Sequence, residues 1–232
     1  MIEQEFNSIT TSARIADLFR RVYAWMALGL TLSAVTAYYV STVPAIYTFL
    51  FRNSALVFSL FALQLGLVVI LSMFINRMSF TTAWLLFVLY AFSLGLTLSG
   101  IFIVYTMSSI FSVFFITSGM FGAMSLYGYF TQADLTTMGN YLFMGLIGLI
   151  LAIFVNVFLA NSALQFLISI AGVFIFVLLT AYDTQRIKKI GEQMGFYDND
   201  TLNKAALLGA LALYLDFINL FVFILQLTGR RR

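Results

Sequence analysis

Seven stretches of about twenty mostly apolar residues dominate this chain, at roughly 22–40, 55–75, 81–105, 108–130, 139–160, 163–183 and 205–227. A helix needs about 20 such residues to cross the hydrocarbon layer of a bilayer. Nothing else in the sequence limits the fold as strongly. Lipid offers no hydrogen-bond partners, so a spanning segment must satisfy its own backbone as a helix or join a closed barrel. Barrel strands read as ~10-residue alternating segments, whereas these runs are continuous and about twice that length. The sequence predicts an all-α integral membrane protein with seven transmembrane helices.

Composition agrees. Of 232 residues, 62% are hydrophobic and only 9% charged, while a soluble domain carries roughly a quarter of its residues as charges. Such a chain cannot cover itself with polar groups, so membrane lipid is its first partner. Short connections set an antiparallel order, with one long polar connection expected at about 184–204. The polar residues 1–21 form an N-terminal tail without a cleavable signal pattern. The domain at 22–227 follows, and then a basic C-terminal tail at 228–232.

Orientation follows from Lys and Arg in short loops. With the N-terminus cytoplasmic, the inner side holds Arg14, Arg20, Arg21, Arg77, Arg186, Lys188, Lys189 and Lys204, and the outer side holds Arg52, Arg230, Arg231 and Arg232. Eight against four favours that orientation. The C-terminal arginines fit it badly, and a last helix that turned back without crossing would place them inside. Small residues recur at four-residue spacing: Ala91, Gly95 and Ser99 on the third helix, Ser118 and Gly122 on the fourth. Such faces let helices approach closely, and a pore lining is the other reading.

Cysteine and histidine are absent, which excludes disulfides, thiolate chemistry and the usual zinc or copper sites. No tightly bound cofactor is expected. The net charge of +3 sits at helix ends and forms no nucleic-acid stripe. Ion chemistry therefore falls to carboxylates and neutral oxygens.

Asp216 stands out among them. Eleven uncharged residues precede it and eleven follow, which puts it near the bilayer midplane, where an aspartate costs on the order of 3 kcal/mol. Such a residue faces a cavity or a partner and marks function, or it is a protonated carboxyl bonding between helices. Asn219, three residues on, shares its face. Asp183 ends the sixth apolar run and reads two ways: an interfacial residue paired with Arg186 at i+3, or a buried one if the helix runs on through Ile190. Antiparallel neighbours would then hold Asp183 and Asp216 at similar depth. Two carboxyls brought together away from water cannot easily both ionise, so they share a proton. They also offer hard oxygens to a cation such as Ca²⁺. Protons and cation would compete, a physical route to a pH-gated cation pathway. Arg77, ending the second run, is either a basic partner for an ionised carboxylate or a positive-inside anchor.

An EF-hand beginning at Asp198 would need Gly at position six and Glu at position twelve. Asn203 and Gly209 stand there, so that motif is rejected. Asp200 or Thr201 is expected to cap the last helix.

Four segments carry a family likeness: TAYDTQRIKKIGEQ at 180–193, LGALALYLDFINLF at 208–221, GLTLSGIFIVYT at 95–106 and GMFGAMSLYGY at 119–129. From about residue 15 onward the chain resembles a bacterial member of the Bax inhibitor-1, or transmembrane Bax inhibitor motif, family. The resemblance implies a cell inner membrane protein with its seventh helix central in the bundle. It also implies a pH-sensitive calcium leak in which Asp183 and Asp216 form the pH sensor and calcium-linked gate, with Arg77 as a gating partner. Ca²⁺ is then a permeant or regulatory ion. An acidic residue within the second helix of some relatives has no counterpart here, where Gln64 stands.

Two other classes compete. Intramembrane aspartyl proteases also place YD on one helix and Asp on the next, but their glycine-flanked GxGD is LYLD here, and their PAL segment is missing, since the one proline is Pro44. The chain is therefore expected not to be an enzyme. The alternative function is an interaction protein that modulates a membrane protease or a stress response.

Overall fold

The computed structural model describes residues 2–193 and 198–232, with side chains from residue 11. Among them eight α-helices occur and no strand. They are α1 (Ile2–Thr42), α2 (Pro44–Arg52), α3 (Ser54–Phe74), α4 (Phe80–Val104), α5 (Met107–Phe130), α6 (Thr136–Leu159), α7 (Ser162–Gln193) and α8 (Asn199–Thr228), with a 3-10 turn at Ile75–Arg77. Seven of them are long and apolar enough to span a membrane, at the seven expected places. The chain is an all-α membrane protein.

The helices outrun the apolar stretches at three places. α1 begins at Ile2, so the polar residues 2–21 are helical and continuous with the first span; Ile15, Leu18 and Phe19 among them are buried. α2 occupies the first connection, opened by Pro44 at its N-terminus, where the fixed φ of proline suits a first turn. The expected long connection at 184–204 is mostly helix, because α7 runs to Gln193 and α8 starts at Asn199; its residues 194–197 lie outside the described residues. No proline interrupts α7, and at ~1.5 Å per residue its 32 residues reach about 48 Å. The cap of α8 also differs from expectation. Asp198 Oδ1 accepts from Thr201 N–H (3.3 Å) and from its hydroxyl (2.5 Å), so Asp198 is the N-cap in place of Asp200 or Thr201.

The chain forms two compact units. The first comprises α1–α4 with Ile190–Leu211. In it α1 lies against α4 along the small-residue face: Ser33 donates to the Ala91 carbonyl at 2.8 Å, and a Cβ on Gly95 would stand 2.6 Å from Thr36 Cβ. Ala91, Gly95 and Ser99 thus serve tight packing. Gln64 is buried, donating to the Ser93 carbonyl (3.0 Å) and to Thr97 (3.3 Å).

The second unit comprises Tyr105–Lys189 with Ala212–Arg232. On α5 the expected face is not the one that packs. A Cβ on Gly122 would meet nothing within 4 Å, whereas Val113, Thr117, Phe121, Ser125 and Gly128 are buried. A chain of amides ties α6, α7 and α8 at one end: Asn156 donates to Gln165 (3.0 Å), and Gln165 and Ser169 both donate to Gln226 Oε1 (2.9 Å each). α8 is the most buried span, with 72% of its apolar window buried against at most 33% in the others.

Candidate functional site

The site is built on α7 and α8 within the second unit. Asp183 lies ten residues before the end of α7, about 15 Å inside it, so it does not sit at a helix terminus. Its side chain is 14% exposed, and Arg186 approaches only to 4.0 Å with a guanidinium 64% exposed. An ion pair that loose and wet contributes little. Asp216 on α8 is buried. The two carboxyls lie close enough to interact electrostatically. Asp216 Oδ2, itself buried, accepts a hydrogen bond from no described donor. Among the described residues no third acidic side chain joins the pair as a metal cluster would require.

Three features hold Asp183 in place, none visible in the sequence as functional. The first is steric. Gly128 on α5 lets the Ala181 backbone of α7 come so close that a Cβ would collide with its carbonyl; the Cβ would also stand 2.9 Å from Ala181 Cα. Gly139 on α6 likewise makes room for the Tyr182 ring. The two residues before Asp183 are therefore gripped by glycines on two different helices. The second is a hydroxyl contact beside the pair: Thr184 and Ser125 Oγ lie 2.9 Å apart, and Thr184 also donates to the Thr180 carbonyl at 2.7 Å.

The third is a strap. Gln185, buried, accepts from Leu135 N–H (2.9 Å) and donates to the Ala133 carbonyl (2.7 Å). Lys188 donates to the Tyr129 carbonyl (2.9 Å) and sits 5.3 Å from the centre of the Tyr129 ring. Lys189 pairs with Asp134. The run 185–189 fastens α7 to the α5–α6 connection.

On the α8 side, Phe217 sits between Phe114 and Phe121 of α5, with ring centroids 5.6 and 5.5 Å away. These rings wall the residue after Asp216 from polar surroundings. Asn219 is half-buried and turns its amide back to the Leu215 carbonyl at 2.8 Å. That bond ties its donor to its own helix and away from Asp216. Arg77 belongs to the first unit. It is exposed at the end of the 3-10 turn, its guanidinium 5.9 Å from the centre of the Phe74 ring.

Sequence comparison agrees with this frame. The family model described as inhibitor of apoptosis-promoting Bax1 matches residues 15–232. The chain is 50% identical over 220 residues to the inner membrane protein YbhL of Escherichia coli K12, covering 95% of this chain and 94% of that one. It is 48% identical to an uncharacterized protein of Borreliella burgdorferi, covering 91% of each. It is 43% identical to the uncharacterized protein RP147 of Rickettsia prowazekii, covering 91% of this chain and 89% of that one. With a family match over residues 15–232 and a relative 50% identical over 95% of its length, the chain belongs to the Bax inhibitor-1 family.

Proposed function

We propose that this protein is a pH-sensitive leak for calcium across the bacterial inner membrane, with Asp183 and Asp216 as its proton sensor and ion gate. The observation that carries the reading is their meeting: two carboxyls on neighbouring spans, one of them with a buried oxygen that no described donor reaches. A shared proton supplies the missing hydrogen when the pathway is at rest. A divalent cation supplies the missing charge when it passes. Ca²⁺ takes six to eight oxygens, and two carboxylates provide four at most. The pair therefore suits brief residence with water completing the shell, as conduction requires. The same pair is read as non-catalytic, since the sequence about Asp216, LYLD, lacks the glycines of an intramembrane aspartyl protease motif.

The test is calcium flux into proteoliposomes while pH is stepped through neutrality. Wild-type flux is expected to change with pH, and Asp216→Asn and Asp183→Asn to flatten that response. Unchanged flux and unchanged pH dependence in Asp216→Asn would remove the pair from the gate.

A further inference from the structure

The three C-terminal arginines fit neither the charge count across the membrane nor the aspartate pair, yet in the second unit they are not a loose end. Thr106 N–H donates to the Arg230 carbonyl at 3.0 Å, and Arg230 N–H donates to Ser109 Oγ at 3.0 Å. Tyr105 and Arg231 form an antiparallel bridge. Gly229 lies so near Tyr105 that a Cβ would stand 2.7 Å from its ring. The tail is thereby fixed beside the start of α5. There a cavity of about 310 Å³ opens, lined by Ser108, Ser109, Ser112, Thr228 and Arg230 over the apolar side chains of Val113 and Ile116.

Charge sharpens the point. The acidic side chains of the second unit are Asp134, Asp183 and Asp216. Asp134 pairs with Lys189, and the other two face each other. No acidic side chain remains within that unit to neutralise Arg230, Arg231 and Arg232, whose three charges exceed what the one α-carboxylate of Arg232 can offset. Cations at the end of a membrane-spanning helix are expected at the depth of phospholipid headgroups.

We propose that this cavity binds the phosphate of an anionic phospholipid headgroup. The Arg230 guanidinium and the Ser108, Ser109 and Ser112 hydroxyls supply donors to phosphate oxygens, while Thr228 spends its own hydrogen on the Ile224 carbonyl. Val113 and Ile116 carry the apolar part of the same molecule. A free phosphate would use only the first set, so the apolar floor favours the lipid. The arginines then sit at their end of the chain as ligands of the lipid, whatever the bias of the loops.

The experiment is native mass spectrometry of the full chain in detergent, titrated with phosphatidylglycerol or phosphatidylcholine, with helicity of every variant checked by circular dichroism. Phosphatidylglycerol is expected to be retained and phosphatidylcholine lost. Arg230→Gln should weaken retention roughly tenfold, as loss of a charged hydrogen bond does. Ser112→Leu fills the cavity at an exposed position without changing charge and should weaken it comparably; Ser108→Ala is the milder second variant. Wild-type retention by Ser112→Leu would mean diffuse attraction to basic residues and would overturn the site. Equal retention of the two lipids, or release of phosphatidylglycerol by inorganic phosphate, would overturn the choice of ligand.

Discussion

Gly128→Ala tests whether the position of Asp183 is set by close helix approach. In a helix interior, replacing Gly by Ala ordinarily stabilises by about 1 kcal/mol, because Ala loses less backbone entropy on folding. At residue 128 the added methyl would run into the carbonyl oxygen of Ala181 and lie 2.9 Å from its carbonyl carbon and Cα. A side chain can rotate away, but this obstacle is backbone. The whole of α7 near Asp183 must shift, and overpacking of this kind costs about 1–3 kcal/mol. Gly119 and Gly122 lie on the same helix, and a Cβ on either meets nothing within 4 Å, so there the helix-propensity gain stands alone. Unfolding in mixed micelles, followed by circular dichroism as dodecyl sulfate is raised, should therefore separate Gly128→Ala from Gly122→Ala by about 1–3 kcal/mol, Gly128→Ala being the less stable. Calcium flux of the same variants in proteoliposomes should change for Gly128→Ala and not for Gly122→Ala. Coincident unfolding curves would refute the claim that this contact positions the pair.

Gln185→Leu removes both strap bonds and leaves the buried Leu135 N–H without its acceptor, a loss of about 1–3 kcal/mol in the same unfolding assay; Gln185→Glu keeps that acceptor and should fall between the two. Asp134 supplies a control for pH. Lys189 first, then Thr136, holds its exposed carboxyl below the usual carboxylate range. Its contribution is complete above the ordinary carboxylate pKa and is lost only as pH falls through the lowered value, so it is constant around neutrality. Asp134→Asn should thus leave the pH response of flux near neutrality unchanged, and a moved response would place the sensor on the strap.

The spans were legible because lipid imposes one rule on every segment: satisfy the backbone locally or stay out. The aspartate pair was legible for a related reason, since Asp216 violates the apolar pattern where violation is most costly. What failed to show was which face of a helix meets another helix. Gly122 and Gly128 look alike in GMFGAMSLYGY, yet one looks into open space and the other admits a neighbouring backbone. Four-residue spacing tells that Ser118 and Gly122 share a face, and that is all a local pattern can tell. Gln185 was opaque likewise, because its partners lie about fifty residues away. The cap of α8 was missed by a few residues because 198–201 offers four adjacent oxygen-bearing candidates, Asp198, Asn199, Asp200 and Thr201, and only backbone geometry chooses among them.

The orphaned Asp216 Oδ2 carries one further consequence. A buried carboxylate oxygen needs a donor or a cation, and among the described side chains it has neither. On the proposed function, proton and calcium are alternative occupants of one place, and their binding is linked. Linkage is reciprocal: whatever factor a proton takes from calcium affinity, calcium takes from proton affinity. Adding calcium to the reconstituted protein in weak buffer, at a pH where the pair holds its proton, should therefore release protons, up to about one per chain since one proton bridges the pair. Magnesium holds its water shell more firmly and should release fewer. Asp216→Asn should release none while keeping its fold by circular dichroism. Calcium flux without proton release in the wild type would show that the ion passes elsewhere, and the paired aspartates would then be a structural contact between spans.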